Sequence, residues 1–486
     1  MKNSWLILLC LLAAVKVWLF AAAFPFFSVT DEQAHIDLAV KYSLGKIPRE
    51  IGPADPVSAP FLATYGTPEY LQVSGQILPP PWQQPIDQVS GRLLSRELFF
   101  SNQFQNHEST QPPLYYGLAG AWWNLGQALH LDGLALLYWL RFLNVPLLVA
   151  FVGLSGWVAR QIFRDSPFLC FAIPAVAALL PQSVFYSVSN DVLCPLIGGL
   201  CFWLVWEYSQ CVRPTLKLSV AVGLALAAGF LTKISNLPLL LVAILFLGLK
   251  GLTLMVRGQG GPGLISWCVI GLTAAVPSLA WMAWCQAHFG DLTGTTVKIH
   301  FLNWGDKPVS QWLAHPLFTA GGFWYFIKGN LATFWCGEQL WHRLPMTREN
   351  VTLALAELTL GLVLLVLVAW LKPRSGFTSA QRLAVFQAFA VCSAMVAFFA
   401  LLSLKYDFRD CFYPSAEHPF FVSGRLMLGM LLPFLILLCA GLDRLTAQFE
   451  AVTKYFLLVM FLGFLLGTEV AADWAMFPNA YNWFHN

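Results

Sequence analysis

The sequence predicts an all-α polytopic membrane protein, a bundle of about eleven transmembrane helices with interfacial helices in the first outer loop. Three observations carry this. The 486 residues are 58% hydrophobic and 11% charged, less than half of the roughly 25% charge of a soluble domain. The apolar residues fall in runs of about 20, the length that crosses a bilayer as a helix. The cations of the short connections follow one side, as the positive-inside rule requires. The same composition excludes disorder, coiled coil and collagen. A net charge of +3 without a basic block gives nucleic-acid binding no support.

The expected spans are roughly 5–24, 136–158, 168–188, 192–210, 218–232, 235–256, 264–287, 351–371, 383–404, 425–442 and 455–472. The apolar run 5–24 is too long for a signal-peptide core, and Phe24-Pro25-Phe26-Phe27-Ser28 is a poor cleavage site, so this run reads as a retained first span. A further segment, 113–130, is short and amphipathic. If it spanned, every later loop would change sides and the cation bias would reverse. It is therefore expected in the outer interface, which leaves the N-terminus inside and the tail outside. The chain reads as one integral membrane domain, 1–486, whose long outer loops 25–135, 288–350 and 405–424 carry the site. The expected location is the inner (plasma) membrane. Most of the eleven cysteines lie in apolar runs and read as small buried residues. Cys336 and Cys411, both in outer loops, are expected to form a disulfide.

Chemistry-bearing residues cluster at the outer ends of the spans. Ser28-Val29-Thr30-Asp31-Glu32-Gln33-Ala34-His35 opens the first loop, and Thr30 with Gln33 predicts a capping box on a helix from Asp31 to about Leu44, stopped by Gly45. Asp31 and Glu32 in its first turn are favoured as ionised carboxylates, and Asp31 and His35 share a face. Such a carboxylate beside the bilayer can take a proton from a hydroxyl. His107 and Glu108, at the other end of the loop, could join Asp31 and His35 around Zn or Mn, or serve as polar residues of a wet loop. Asp191 is the single charge of a tiny outer turn. Lys233 is the lone cation of the short outer loops, placed to meet a lipid phosphate or to snorkel. Arg141 and Arg425 stand at the same level, and Lys16 lies well inside the first span. Trp304, Trp312, Trp324, Tyr325, Trp335 and Trp341 suit either sugar stacking or an interfacial belt.

In order, Asp31-Glu32-x-x-His35, Gln111-Pro112-Pro113-Leu114-Tyr115-Tyr116, Ser189-Asn190-Asp191, Thr232-Lys233 and Gly424-Arg425 resemble the bacterial polytopic glycosyltransferases of the GT-C superfamily, which includes the protein O-mannosyltransferases and the lipid A aminoarabinose transferase. Phe334-Trp335-Cys336-Gly337 is similar to a Trp-Gly element of the last large outer loop in such enzymes. The Arg425 motif departs from the pattern, reading Gly-Arg-Leu-Met without an aromatic.

The resemblance implies a GT-C-type bundle and an inverting transferase that uses a polyprenyl-phosphate-linked sugar. Asp31, Glu32 and Asp191 would be catalytic. Lys233, Arg425, Arg141, His35, Gln111 and Tyr115 would bind substrate. No cofactor is specified beyond the open divalent-metal reading. Without the large soluble C-terminal domain of some relatives, an acceptor of unspecified glycan, lipid or protein class would be met by the outer loops. The competing readings are a flippase for a lipid-linked sugar, or a polysaccharide ligase or polymerase of related fold. Clustering of ionisable groups at the span ends argues against transport, where sites lie near mid-membrane.

Overall fold

The computed structural model describes residues 4–29, 31–67, 79–258, 260–342, 344–372, 376–409, 411 and 414–485. The fold is all-helical. Among the described residues nine helical stretches are long and apolar enough to cross a membrane, and the shorter apolar helices Pro167–Ala178 and Leu216–Thr232 match the two remaining expected runs. Residues 114–128 form the separate helix Leu114–Ala128, 15 residues long and buried on one side only. Two pairs of two-residue antiparallel strands complete the structure. One of them joins Gly305–Asp306 to Tyr406–Asp407, so the second and third long loops are stitched together.

Two expected helical spans are broken where the site forms. The run 168–188 is helical only over Pro167–Ala178 and continues through a 3-10 turn, Ser183–Tyr186, to a second one, Asn190–Val192. Pro181 explains the break: it donates no hydrogen bond and disfavours helical backbone at Leu180. The expected start of the run 425–442 is also a 3-10 stretch, Gly424–Met430, before the helix Leu431–Leu445. A Cβ on Gly424 would sit 2.0 Å from the carbonyl of Asn330, so only glycine lets this turn lie against the helix Ala320–Cys336.

The helix after the first span runs Glu32–Ser43 and ends as expected. Gly45 takes φ 70°, and bonds from Gly45 N to Tyr42 O and from Lys46 N to Lys41 O close a Schellman motif. Its start differs from expectation. Asp31 is the N-cap, in left-handed backbone with φ 67° and no side-chain cap bond. Thr30 of the expected capping box lies outside the described residues.

Glu32 and Arg141 are not at the site. Both side chains are fully buried and pair in bidentate fashion, Arg141 Nη2 lying 2.7 Å from Glu32 Oε2 and Nε lying 3.0 Å from Oε1. The guanidinium also donates to the carbonyls of Ala21, Phe24 and Pro25, while Glu32 accepts from the N–H groups of Phe27 and Val188. One ion pair thus fastens the end of the first span, the start of the first-loop helix and the unwound segment before Asp191. A catalytic role for Glu32 and a phosphate-binding role for Arg141 meet this obstacle: every polar atom is already satisfied within the protein. The expected disulfide is also absent, since no bridge joins Cys336 and Cys411. Cys336 is buried in a pocket with Thr347, Glu469 and Asp473, whereas Cys411 lies in the loop that follows the Tyr406–Asp407 strand.

Breaking this buried pair leaves an uncompensated charge, so Glu32→Gln or Arg141→Met is expected to cost about 3–5 kcal/mol. The double variant should lose clearly less than the sum. Thermal melting in detergent of all four proteins checks the coupling, and additive losses would show that the two side chains act independently.

Candidate functional site

Three broken or looped stretches place carboxylates around one guanidinium. Arg425, on the 3-10 turn Gly424–Met430, donates through Nε to Glu338 Oε2 at 2.7 Å, through Nη1 to Asp191 Oδ2 at 2.9 Å and through Nη2 to Asp31 Oδ2 at 3.1 Å. The rigid fork of arginine suits three partners in one plane. Asp191 is fully buried and also takes Lys233, whose Nζ lies 2.5 Å from Oδ1 and 3.0 Å from Asn190 Oδ1. The Asn190 amide in turn donates to Gln111 Oε1 at 3.1 Å.

A second set of charges joins at Asp31. His107 Nε2 lies 3.4 Å from Asp31 Oδ1 and 3.2 Å from Glu108 Oε1, and Lys298 Nζ lies 2.6 Å from the same Glu108 oxygen. The His107 ring stacks on Phe301 with centroids 5.8 Å apart. Lys298 and Phe301 both belong to the short helix Thr295–Phe301, so the second long loop touches the first through this ion pair and this ring contact.

Burial and charge set the protonation states. Burial alone would raise the Asp31 carboxyl, but the His107 hydrogen bond and Arg425 outweigh it and hold the group well below the usual carboxylate range. Burial would lower His107, yet the hydrogen bonds and charges of Asp31 and Glu108 prevail and raise it to about 9. Burial dominates at His35, lowering it to about 4, so it is a neutral imidazole at pH 7, its Nδ1 2.7 Å from the Tyr116 hydroxyl. With His107 protonated, the four carboxylates Asp31, Glu108, Asp191 and Glu338 face the four cations Arg425, Lys233, Lys298 and His107.

Of these groups Asp31, Glu108, Lys233, Lys298 and Arg425 line one side of a cavity of about 230 Å³, with Asp191, Glu338 and His107 set behind them. Its polar wall is Asp31, His35, Glu108, Gln111, Lys233, Lys298 and Arg425. Its apolar wall comes from Phe398, Phe399 and Leu402 at the end of the helix Ser379–Lys405, with Phe421, Leu426 and Ile299. A site with an apolar wall and a few convergent polar groups is the usual form of a small-molecule pocket. Asp31 keeps 24% of its side chain exposed, whereas Asp191 is closed off behind Lys233 and Arg425.

The structure therefore brings Asp31, His35, Gln111, Lys233 and Arg425 to one cavity, with Asp191 behind it. Tyr115 is fully buried and does not line it. Of the loop aromatics singled out above, Trp304 lines it, while the buried Trp335 ring donates to Thr359 at 3.0 Å. Lys298 and Glu338 were missed by sequence reading. Glu338 follows the Trp335-Cys336-Gly337 element directly, a signal that could have found it. Lys298 has no such mark, because a lysine in a polar loop is ordinary.

The metal reading also changes. Asp31, His107 and Glu108 offer three ligand atoms within 4.8 Å of one another, a mixed oxygen and nitrogen set suited to Zn or Mn. His35 is not among them. Lys298 already holds Glu108 Oε1, so a cation bound there would have to displace it.

The proton on His107 makes a test. Its folded value of about 9 lies above the ordinary 6.5, so its stabilisation is complete below pH 6.5 and is lost as pH rises through about 9. In chelator-treated protein the melting temperature is expected to fall across that window, and His107→Gln should flatten the fall. Equal slopes in both proteins would remove the ion-paired imidazolium.

No curated protein matches the chain. Among solved structures, one described as the crystal structure of ArnT from Cupriavidus metallidurans bound to undecaprenyl phosphate is similar at 13% identity and a TM-score of 0.46, over 99% of this chain and 76% of that one. A family model described as a predicted membrane protein, DUF2142, matches residues 15–407, most of the sequence. The chain belongs to the DUF2142 family of predicted membrane proteins.

Proposed function

We propose that this protein is an inverting glycosyltransferase that takes a sugar from a polyprenyl-phosphate donor and passes it to a hydroxyl acceptor at the outer face of the plasma membrane. The observation that carries the reading is the cavity itself. It joins a part-exposed carboxylate and a guanidinium to an apolar wall formed by the ends of membrane-spanning helices. A donor with a phosphate head and an isoprenoid tail has the same two-part character.

Asp31 is the base and Arg425 the phosphate-binding cation. Their contact raises a difficulty, because a carboxylate paired with a guanidinium is a weak base. The donor resolves it. A phosphate oxygen arriving at Arg425 takes over the Nη2 donor that Asp31 now occupies, since arginine grips phosphate through two parallel bonds. Released from that contact, Asp31 gains proton affinity when donor is present. It then accepts the proton of the acceptor hydroxyl as its oxygen attacks the anomeric carbon. The bond from that carbon to the phosphate oxygen breaks with inversion, and the departing charge falls on Arg425 and Lys233. Asp191 and Glu338 orient the two cations, and His107 holds Asp31 from the other side. Among the described residues four carboxylates meet four cations at the site, and an added phosphate charge can be met by release of a carboxylate contact.

The flippase reading is separated by donor fate. In detergent a transferase converts polyprenyl-phosphate sugar to polyprenyl phosphate, and a flippase leaves it intact. Asp31→Asn is expected to lower transfer by about 10²-fold or more with folding retained, and a rate above about a tenth of wild type would remove Asp31 as base. Arg425→Ala should raise the donor requirement tens-fold through loss of about 2–5 kcal/mol of charge-assisted binding. A shift confined to the acceptor requirement would place Arg425 on the acceptor side. Labelling of a cysteine introduced in the tail by an impermeant reagent on intact cells should succeed, and protection would reverse the proposed orientation.

A further inference from the structure

A second polar group lies among the membrane-spanning helices, and the chemistry above does not use it. Lys16 of the first span is 4% exposed and does not snorkel: its Nζ donates to the Leu180 carbonyl at 2.6 Å and lies 3.0 Å from Glu469 Oε2. The Tyr186 hydroxyl donates to Glu469 Oε1. Glu469 and Asp473 sit one turn apart on the last span, Ala451–Asp473, and both are buried, at 4% and 3% exposure. Two carboxylates therefore share one lysine. Among the described residues no hydrogen bond of ordinary geometry reaches Asp473 Oδ1 or the amide Nε2 of Gln339, itself 6% exposed, although the two side chains face each other. Both residues line a small cavity of about 10 Å³ with Pro181, Cys336, Thr347, Thr468, Glu469 and Ala472. That is about the space that one water requires.

Charge accounting decides what the cavity needs. An uncompensated ion in an apolar interior is expensive, and buried ionisable groups of membrane helices pair or neutralise. Lys16 is the countercharge of Glu469 through Oε2, and the Tyr186 hydroxyl donates to its Oε1. Among the described residues, the other polar groups that line the cavity with Asp473 are the Gln339 amide, the Thr347 and Thr468 hydroxyls and the Cys336 thiol, none of which carries a positive charge. A second ionised carboxylate would leave one negative charge over.

We propose that Asp473 is a proton-binding site: it carries the one proton that makes the Lys16–Glu469–Asp473 group electroneutral, and it shares that proton with a water in the cavity beside Gln339. The orphaned atoms fit a water well. It can accept from Gln339 Nε2 and exchange hydrogen bonds with the Asp473 carboxyl. The site adjoins the polar centre through the chain itself. Gln339 follows Glu338, the partner of Arg425, and its backbone bridges to Val29, two residues before Asp31. The proton thus fixes the segment that holds Glu338 on Arg425 and that bridges to the stretch leading into Asp31.

Infrared difference spectroscopy of the purified full-length protein at neutral pH tests this without recourse to transfer activity. Wild type should show the carbonyl band of a protonated carboxylic acid, shifted in D2O, and Asp473→Asn should lose it. Charge accounting adds two sharper outcomes. Glu469→Gln leaves Lys16 to Asp473, so Asp473 ionises and the same band disappears. Lys16→Met removes the cation, so Glu469 also protonates and the acid band grows roughly twofold. If one variant does not fold, the other two still decide. A wild-type band that survives in both Asp473→Asn and Glu469→Gln would overturn the proposal. So would absence of the band together with stabilisation by sodium ions, which would make a metal cation the compensating charge.

Discussion

Arg425 is the interaction on which the rest of the site depends. Its five N–H donors are shared among Asp31, Asp191 and Glu338, which come from the first loop, the unwound part of the third apolar run and the second long loop. Three carboxylates that close would repel one another strongly without it. In a region of low dielectric that repulsion is large, and a cation with a fixed fork is the compact way to meet it. The guanidinium therefore ties segments far apart in sequence and sets where each carboxylate points.

Its position depends on backbone that is not regular helix. The turn Gly424–Met430 brings Arg425 in from the side of the bundle, and Gly424 has no room for a side chain against Asn330. Asp191 likewise sits on a 3-10 turn after Pro181 has ended its helix. Irregular backbone at that depth leaves polar groups that a regular helix would satisfy internally, and it is tolerated where protein covers it or where it lines a cavity. Here both conditions hold. Asn144, for example, donates to the freed carbonyls of Phe185 and Ser187.

Adjacent acids take opposite roles through the same physics. Asp31 and Glu32 are neighbours in sequence, but φ of 67° at Asp31 turns its carboxylate toward His107 and Arg425. Glu32, now in the first helical turn, points back into the bundle and locks with Arg141. One carboxylate stays open to the cavity while the other is closed within the fold. The closed pair holds the open one in place, because it anchors the helix that starts beside it.

The sequence by itself determined the membrane class, the eleven apolar runs, the stop of the first-loop helix at Gly45 and the grouping of Asp31, His35, Gln111, Lys233 and Arg425 near one end of the bundle. Those properties follow from composition, run length, charge bias and local turn chemistry, which short stretches of chain encode. Only the tertiary structure decided which charges meet. It paired Arg141 with Glu32 and Lys16 with Glu469, put Glu338 and Lys298 at the site, and kept Cys336 apart from Cys411. Each of these is a contact between segments distant in the chain, and the energy of a buried ion depends on its nearest countercharge rather than on its own neighbours in sequence. No local pattern records that distance.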